Sequence, residues 1–155
     1  MKIVLIIIPI LFLAGLIALF VLGQMSQSGK ANGIIDGKLS KCPDKPNCIC
    51  TEFEADLTHY VEPIAYSPRT PSEVLTRLKN SIAEMGGNIR TERNNYLAAT
   101  FTSSFFRFAD DLEIRVDTDR QMIHFRSASR VGYSDRGVNK KRVERLKNLF
   151  AKKIE

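Results

Sequence analysis

Between Phe108 and Arg142 the chain reads FADDLEIRVDTDRQMIHFRSASRVGYSDRGVNKKR, a denser mixture of carboxylates, guanidiniums, hydroxyls and glycines than a bare strand pair requires. Such residues are suited to holding an anion. Arg126, Arg130 and Arg142 offer forked donors, while Ser127, Ser129, Ser134 and the N–H groups of a glycine-containing loop offer neutral ones, a set that fits a phosphate, a carboxylate or a lipid headgroup. The competing arrangement is internal. Asp110, Asp111 and Asp135 would neutralise the three arginines and pin the loop to the sheet, with Asn139 capping the helix that follows. The two readings divide on position. Arg126 is expected to face Asp111 across a strand pair, whereas Arg142 opens a helix whose dipole disfavours cations and is expected to meet an outside anion.

Catalytic chemistry has fewer candidates. His59 and His124 are the two histidines of the sequence, and His124 is expected to stand on a strand opposite Glu113. Ser127 or Ser129 as a nucleophile would need a base on its own strand face, and His124 projects to the other. Asp110 and Asp111 are adjacent on a strand and point apart, which disfavours a metal pair. No catalytic residue, metal or cofactor is therefore expected, a hydrolase using the same pocket being the enzymatic alternative and a structural or partner-docking module the third reading.

FRFADD, followed by RSASRVGYSDRGVNKKR and preceded by CPDKPNC, resembles the bacterial and plastid family known as domain of unknown function 1499. The three motifs stand in the family's order, and the resemblance covers roughly residues 39–150. It implies no particular activity. One departure is Cys50, which stands where the family pattern usually has a serine.

The elements that must position these groups begin with IVLIIIPILFLAGLIALFVLG at residues 3–23, which holds no charge. As a helix it is roughly 31 Å long, against a hydrocarbon core of about 30 Å, so it reads as a transmembrane signal anchor. A signal peptide cleaved after Gly23 is the competing reading; its apolar core would ordinarily be shorter, about 7 to 15 residues. Lys2 precedes the segment and Lys30, Lys38 and Lys41 follow it, so the positive-inside rule alone leans toward a cytoplasmic domain. That rule weakens before a long domain, and the cysteines that follow favour export. The expected location is the cytoplasmic membrane, single-pass, with the domain on the periplasmic or extracellular side.

Residues 24–41 are rich in Gly, Ser, Asn and Lys and read as a flexible spacer. Next comes Cys42-Pro-Asp-Lys-Pro-Asn-Cys48, with Cys50 two residues on. A Cys42–Cys48 disulfide is expected; zinc is the rival, but it wants four ligands and the nearest histidine is His59. Cys50 is left buried, paired with another chain, or as the alternative partner.

Residues 42–155 have the size of one domain. Thr58 to Ser67 reads as an edge strand because of Pro63. Thr70-Pro-Ser-Glu73 is a capping box, and Val74, Leu75, Leu78, Ile82 and Met85 form one helix face that ends at Gly86-Gly87. Asn88 to Arg93 and Tyr96 to Ser103 are strands joined at Asn94-Asn95. In the next hairpin, pairing Val116 with Gln121 sets Ile114 opposite Ile123, Leu112 opposite Phe125, Asp111 opposite Arg126 and Glu113 opposite His124. Gly132 and Gly137 lie in a loop. Asn139 reads as a helix N-cap with Val138 and Val143 as a hydrophobic staple, and Val143, Leu146, Leu149 and Phe150 form the buried stripe.

The predicted fold is therefore α+β, an antiparallel sheet of four or five strands with two main helices on one face. Residues 139–155 hold seven Lys or Arg and two Glu, in a chain of net charge +6. This basic helix is expected to face anionic lipids rather than nucleic acid, which an exported domain would not ordinarily meet.

Overall fold

The computed structural model describes residues 2–66 and 70–152. Helix α1 (Lys2–Gln27) leads into a short hairpin of β1 (Ile34–Ile35) and β2 (Lys38–Leu39), then β3 (Cys48–Cys50) and β4 (Ile64–Ala65). Helix α2 (Pro71–Glu84) follows, then β5 (Asn88–Arg93), β6 (Tyr96–Thr102), β7 (Ala109–Asp117), β8 (Met122–Ser129) and helix α3 (Val138–Lys152). The main sheet has six antiparallel strands in the order β3-β8-β7-β6-β5, with β4 also pairing with β8. It exceeds the expected four or five because the Cys-loop itself ends in a strand: Cys48, Ile49 and Cys50 pair with Ala128, Ser127 and Arg126. Of the stretch expected as a strand from Thr58, Tyr60 makes an isolated parallel bridge with Cys50 and β4 pairs with β8; Ser67 lies outside the described residues.

Helices α2 and α3 cover one face of the sheet. Val74, Leu78 and Ile82 from α2 and Val143, Leu146 and Phe150 from α3 are buried against Leu97, Leu112, Ile114, Ile123 and Phe125. The capping box at α2 is present: the Thr70 hydroxyl accepts from the Glu73 N–H, and the Glu73 carboxylate accepts from the Thr70 N–H at 2.9 Å. Asn94 takes a left-handed φ of 44° at the β5–β6 turn, as an Asn-Asn pair permits. α3 starts two residues earlier than an Asn139 cap would place it and uses a different cap. Asp135 accepts from the Gly137 and Asn139 N–H groups at 2.8 and 2.7 Å, placing negative charge at the helix start, while Asn139 itself lies inside the helix and is fully buried.

The β7–β8 register differs from the expected one by two residues. Ile114 pairs with Phe125, Val116 with Ile123, Glu113 with Arg126 and Arg115 with His124; Asp111 lies opposite Ala128. A slip of two keeps every side chain on its face, so the apolar alternation cannot detect it. The turn decides instead. Asp117 accepts from the Arg120 N–H at 3.0 Å and Gln121 takes a φ of 52°, which carries Asp117 into the strand opposite Met122.

Residues 24–41 are not a loose spacer. α1 runs on to Gln27, Leu39 is fully buried, and residues 28–33 lie as a strap over the sheet face that lacks helices. β2, the Cys-loop and β8 share a small second core of Leu39, Cys42, Cys48, Cys50 and Ala128. The Cys42–Cys48 disulfide is formed, with Cα atoms 5.7 Å apart, and Cys50 is a buried free thiol whose pKa is pushed up to about 11 by that burial. Residues 3–22 of α1 project as an apolar rod, a candidate membrane span or signal.

Candidate functional site

Strand alternation splits the residues of the polar stretch between the two faces of the sheet. On the helix side, Asp110 binds Arg142 at 2.6 Å, and the Arg142 guanidinium also donates to Ser127 at 3.1 Å and to the Asn139 side-chain oxygen. It lies over the Phe101 ring, 4.7 Å from the centroid. Asn139 accepts from Ser127 and donates to Ser129 and to the backbone of Asn47, and Asn47 in turn donates to the Gly132 carbonyl. This cluster ties the Cys-loop, the glycine loop and the start of α3 to the sheet. The charge of Arg142, expected to meet an outside anion, is met by Asp110. Ser134 stays in the exposed loop, where its hydroxyl accepts from the Arg136 N–H.

The opposite face carries Arg126 and Arg130, each on a carboxylate. Glu113, 0% exposed, accepts from Arg126 at 2.8 Å, from the Tyr96 hydroxyl at 2.8 Å and from the Gly33 N–H at 2.7 Å. The partner of Arg126 is thus Glu113 rather than Asp111, as the two-residue shift requires. Burial, followed by the adjacent Glu113 charge, raises the Tyr96 pKa well above its ordinary value. Gly33 has a φ of 83°, which lets the strap present its N–H to Glu113 at little steric cost.

Arg130 joins the sheet to the end of α1. It holds Asp111 through two bonds of 2.8 and 2.7 Å, donates to Thr100 at 3.0 Å, and donates to the Ser26 and Gln27 carbonyls at 3.0 and 3.2 Å. Those carbonyls belong to the last turn of the helix, where oxygens lack intrahelical donors and the dipole is negative, so a guanidinium fits there. The Asp111 bonds raise the Arg130 pKa further and keep it charged. Ser26 repeats the tie by accepting from the Ala109 N–H at 2.9 Å. A Cβ at Gly23 would run into the Phe106 carbonyl, so the helix approaches this closely because Gly23 has no side chain.

Farther along the same face, Arg115 binds Glu52 at 2.7 Å and Asp117 at 3.2 Å. Glu52 gives no signal in the sequence because it is near its partner only after β3 joins the sheet. His124 sits here, facing Thr51 rather than Glu113. The Thr51 hydroxyl accepts from the Phe125 N–H at 2.9 Å and is hydrogen-bonded to His124 Nδ1 at 3.1 Å. Burial lowers the His124 pKa below 6.5, with Glu52 and Asp117 opposing the shift and Arg115 reinforcing it. The unfolded chain then takes up this proton first, so stability is whole above about pH 6.5 and falls as the pH drops through the lowered folded value. The urea midpoint should fall from about pH 7.5 to 5, and His124→Gln should flatten that fall; equal slopes in both proteins would contradict this account.

Among the described residues, no group of three His, Cys, Asp or Glu side chains is placed to hold a metal. Concave space lies elsewhere. A cleft of about 1080 Å³ runs along the strap side of the sheet from Gln27, Thr100 and Asp111 to the distal turns at Asn94 and Asp119. Lys30, Arg90 and Arg93 line it with no carboxylate partner among the described residues, as does Asp119 with no cationic one.

These features define an α+β domain with two helices on one sheet face, a network of buried ion pairs on the other, and a candidate span docked to that network. The chain belongs to the family described as protein of unknown function (DUF1499), whose sequence model matches residues 38–150. No curated protein and no solved structure matches it.

Proposed function

We propose that the protein is a membrane-anchored, non-enzymatic envelope module that holds an anionic small molecule or lipid headgroup in the strap-side cleft. The domain lies on the periplasmic or extracellular side of the cytoplasmic membrane, a reading supported by the Cys42–Cys48 disulfide and the apolar α1. One observation carries the ligand assignment: Lys30, Arg90 and Arg93, unpaired among the described residues, share a cleft with Gln27, the last residue of the anchor helix. The cleft therefore begins where α1 ends, at headgroup height. Arg126, Arg130 and Arg142 serve as scaffold, since each already has its carboxylate. Lys140, Lys141 and Arg145, exposed on the outer face of α3, add attraction to an anionic bilayer.

The test is thermal unfolding of the full chain in a neutral detergent with inorganic phosphate, short-chain phosphatidylglycerol or short-chain phosphatidylcholine. A ligand at ten times its Kd should stabilise by about 1.4 kcal/mol, a rise of several degrees. A rise with phosphate and phosphatidylglycerol indicates a free anion site, and a rise with phosphatidylglycerol alone indicates a lipid headgroup. Either rise should vanish in Arg90→Ala/Arg93→Ala, two positions on the edge strand whose loss leaves the fold intact. No rise, or an equal one with phosphatidylcholine, sinks the reading.

A further inference from the structure

The β6–β7 connection, Ser103–Phe108, stands beside the apolar rod and carries aromatic rings that the domain does not bury. Phe105 is 68% exposed, yet its ring lies 5.7 Å from that of Phe20 in α1, and the Phe106 ring lies 5.2 Å from Phe20. Phe105 and Phe106 meet edge to face at 4.7 Å. The loop is fixed in this position. The Phe106 carbonyl sits over Gly23, and the Gln27 side chain donates to the Arg107 carbonyl.

Helix geometry sets the depth. From Ile3 to Phe20 the axis advances about 26 Å, within a hydrocarbon core of about 30 Å, so Phe20 and the rings against it come near the core's outer boundary. Gln27 lies about 10 Å farther along the axis, among the headgroups, and so does Arg107, an exposed cation with no carboxylate partner among the described residues. Aromatic rings below and a cation above is the arrangement that suits a membrane interface.

We infer that the Phe105-Phe106-Arg107 loop is a second membrane contact, with Phe105 inserted among the lipid chains beside α1 and Arg107 at the phosphates. This inference rests on α1 being an anchor. It gives the domain a two-point seat on the bilayer that fixes its tilt and turns the cleft mouth toward the headgroups.

The chain contains no tryptophan, so a single introduced indole reports its own surroundings. Phe105→Trp and, separately, Phe20→Trp would be placed in the full chain in vesicles of phosphatidylcholine with a quarter phosphatidylglycerol, with and without bromine on the phosphatidylcholine chains. Both variants should emit to the blue of free tryptophan, both should be quenched by the bromolipid, and the indole of Phe105→Trp should be shielded from acrylamide. Quenching in Phe20→Trp with a red-shifted, acrylamide-accessible indole in Phe105→Trp would leave the anchor standing and overturn the inference. Blue-shifted but unquenched emission from Phe105→Trp would also overturn it, indicating a protein partner in place of lipid. No quenching in either variant would remove the anchor reading and the loop contact together.

Discussion

Glu113→Ala should be among the most damaging single substitutions in the domain, lowering its stability by about 3 to 5 kcal/mol in urea unfolding. The carboxylate is fully buried and accepts from Arg126, Tyr96 and Gly33, so its loss strands a guanidinium that is 5% exposed and whose Nε already lacks a partner. Such a cost is a large part of the roughly 5 to 15 kcal/mol that holds an ordinary domain together. The penalty comes from leaving a charge unpaired rather than from the pair's net worth. Glu113→Leu combined with Arg126→Met should therefore recover most of the loss. A Glu113→Ala protein within about 1 kcal/mol of wild type would show that Arg126 finds water or another partner, and the network would lose its place in the account.

Arg130→Ala should cost a similar amount, about 3 to 5 kcal/mol, because it leaves Asp111 buried without its counter-charge. Its distinguishing effect is on the strap. Without the guanidinium the Ser26 and Gln27 carbonyls lose their bonds to Arg130, and the helix is held to the sheet mainly by Ser26, Gln27 and the approach at Gly23. Proteolysis within residues 28–33 should become fast in Arg130→Ala while the sheet remains resistant. Asp111→Asn separates the two contributions: it keeps an acceptor near Arg130, so it should weaken the domain less and leave the strap largely protected. Equal strap cleavage in wild type and Arg130→Ala would contradict this assignment.

What can be read from the sequence follows from the range of the forces involved. Helix α2 is legible because Thr70, Pro71 and Glu73 form a local cap and the apolar spacing that follows is helical. The β5–β6 hairpin is legible because Asn94 and Asn95 tolerate the turn backbone. Both signals act within a few residues. The β7–β8 register is legible only to within a shift of two, since alternation assigns Ile114, Ile123 and Phe125 to a face but not to partners, and Arg126 meets an acid in either register. β3 escapes notice because the three residues Cys48, Ile49 and Cys50 are too few to carry a period.

The strap misleads for a different reason. Its composition is that of a linker, and the bonds that order it reach across 80 residues from Gly33 to Glu113 and 104 from Ser26 to Arg130. The Arg/Ser/Asp stretch stands out as unusual in the sequence, and Arg126, Arg130 and Arg142 lie on Glu113, Asp111 and Asp110. The missing information is that the sheet divides it, leaving Arg142, Ser127 and Asn139 beside the helices and Arg126 and Arg130 against the strap. Arg90 and Arg93, which line the open cleft, give no signal because an edge strand bearing arginines is ordinary.

Amide hydrogen exchange of the full chain in detergent tests most directly whether α1 and the strap form one rigid unit with the sheet. The amides to follow are those of Gly33, which donates to Glu113, and Ala109, which donates to Ser26. In wild type both should exchange at least about 100-fold more slowly than in an unstructured peptide, with Gly33 losing most of that protection in Arg130→Ala and Glu113→Ala. A Gly33 amide exchanging at the unstructured rate in the wild-type protein, with the sheet amides still protected, would contradict the account and restore residues 24–41 to a flexible tether.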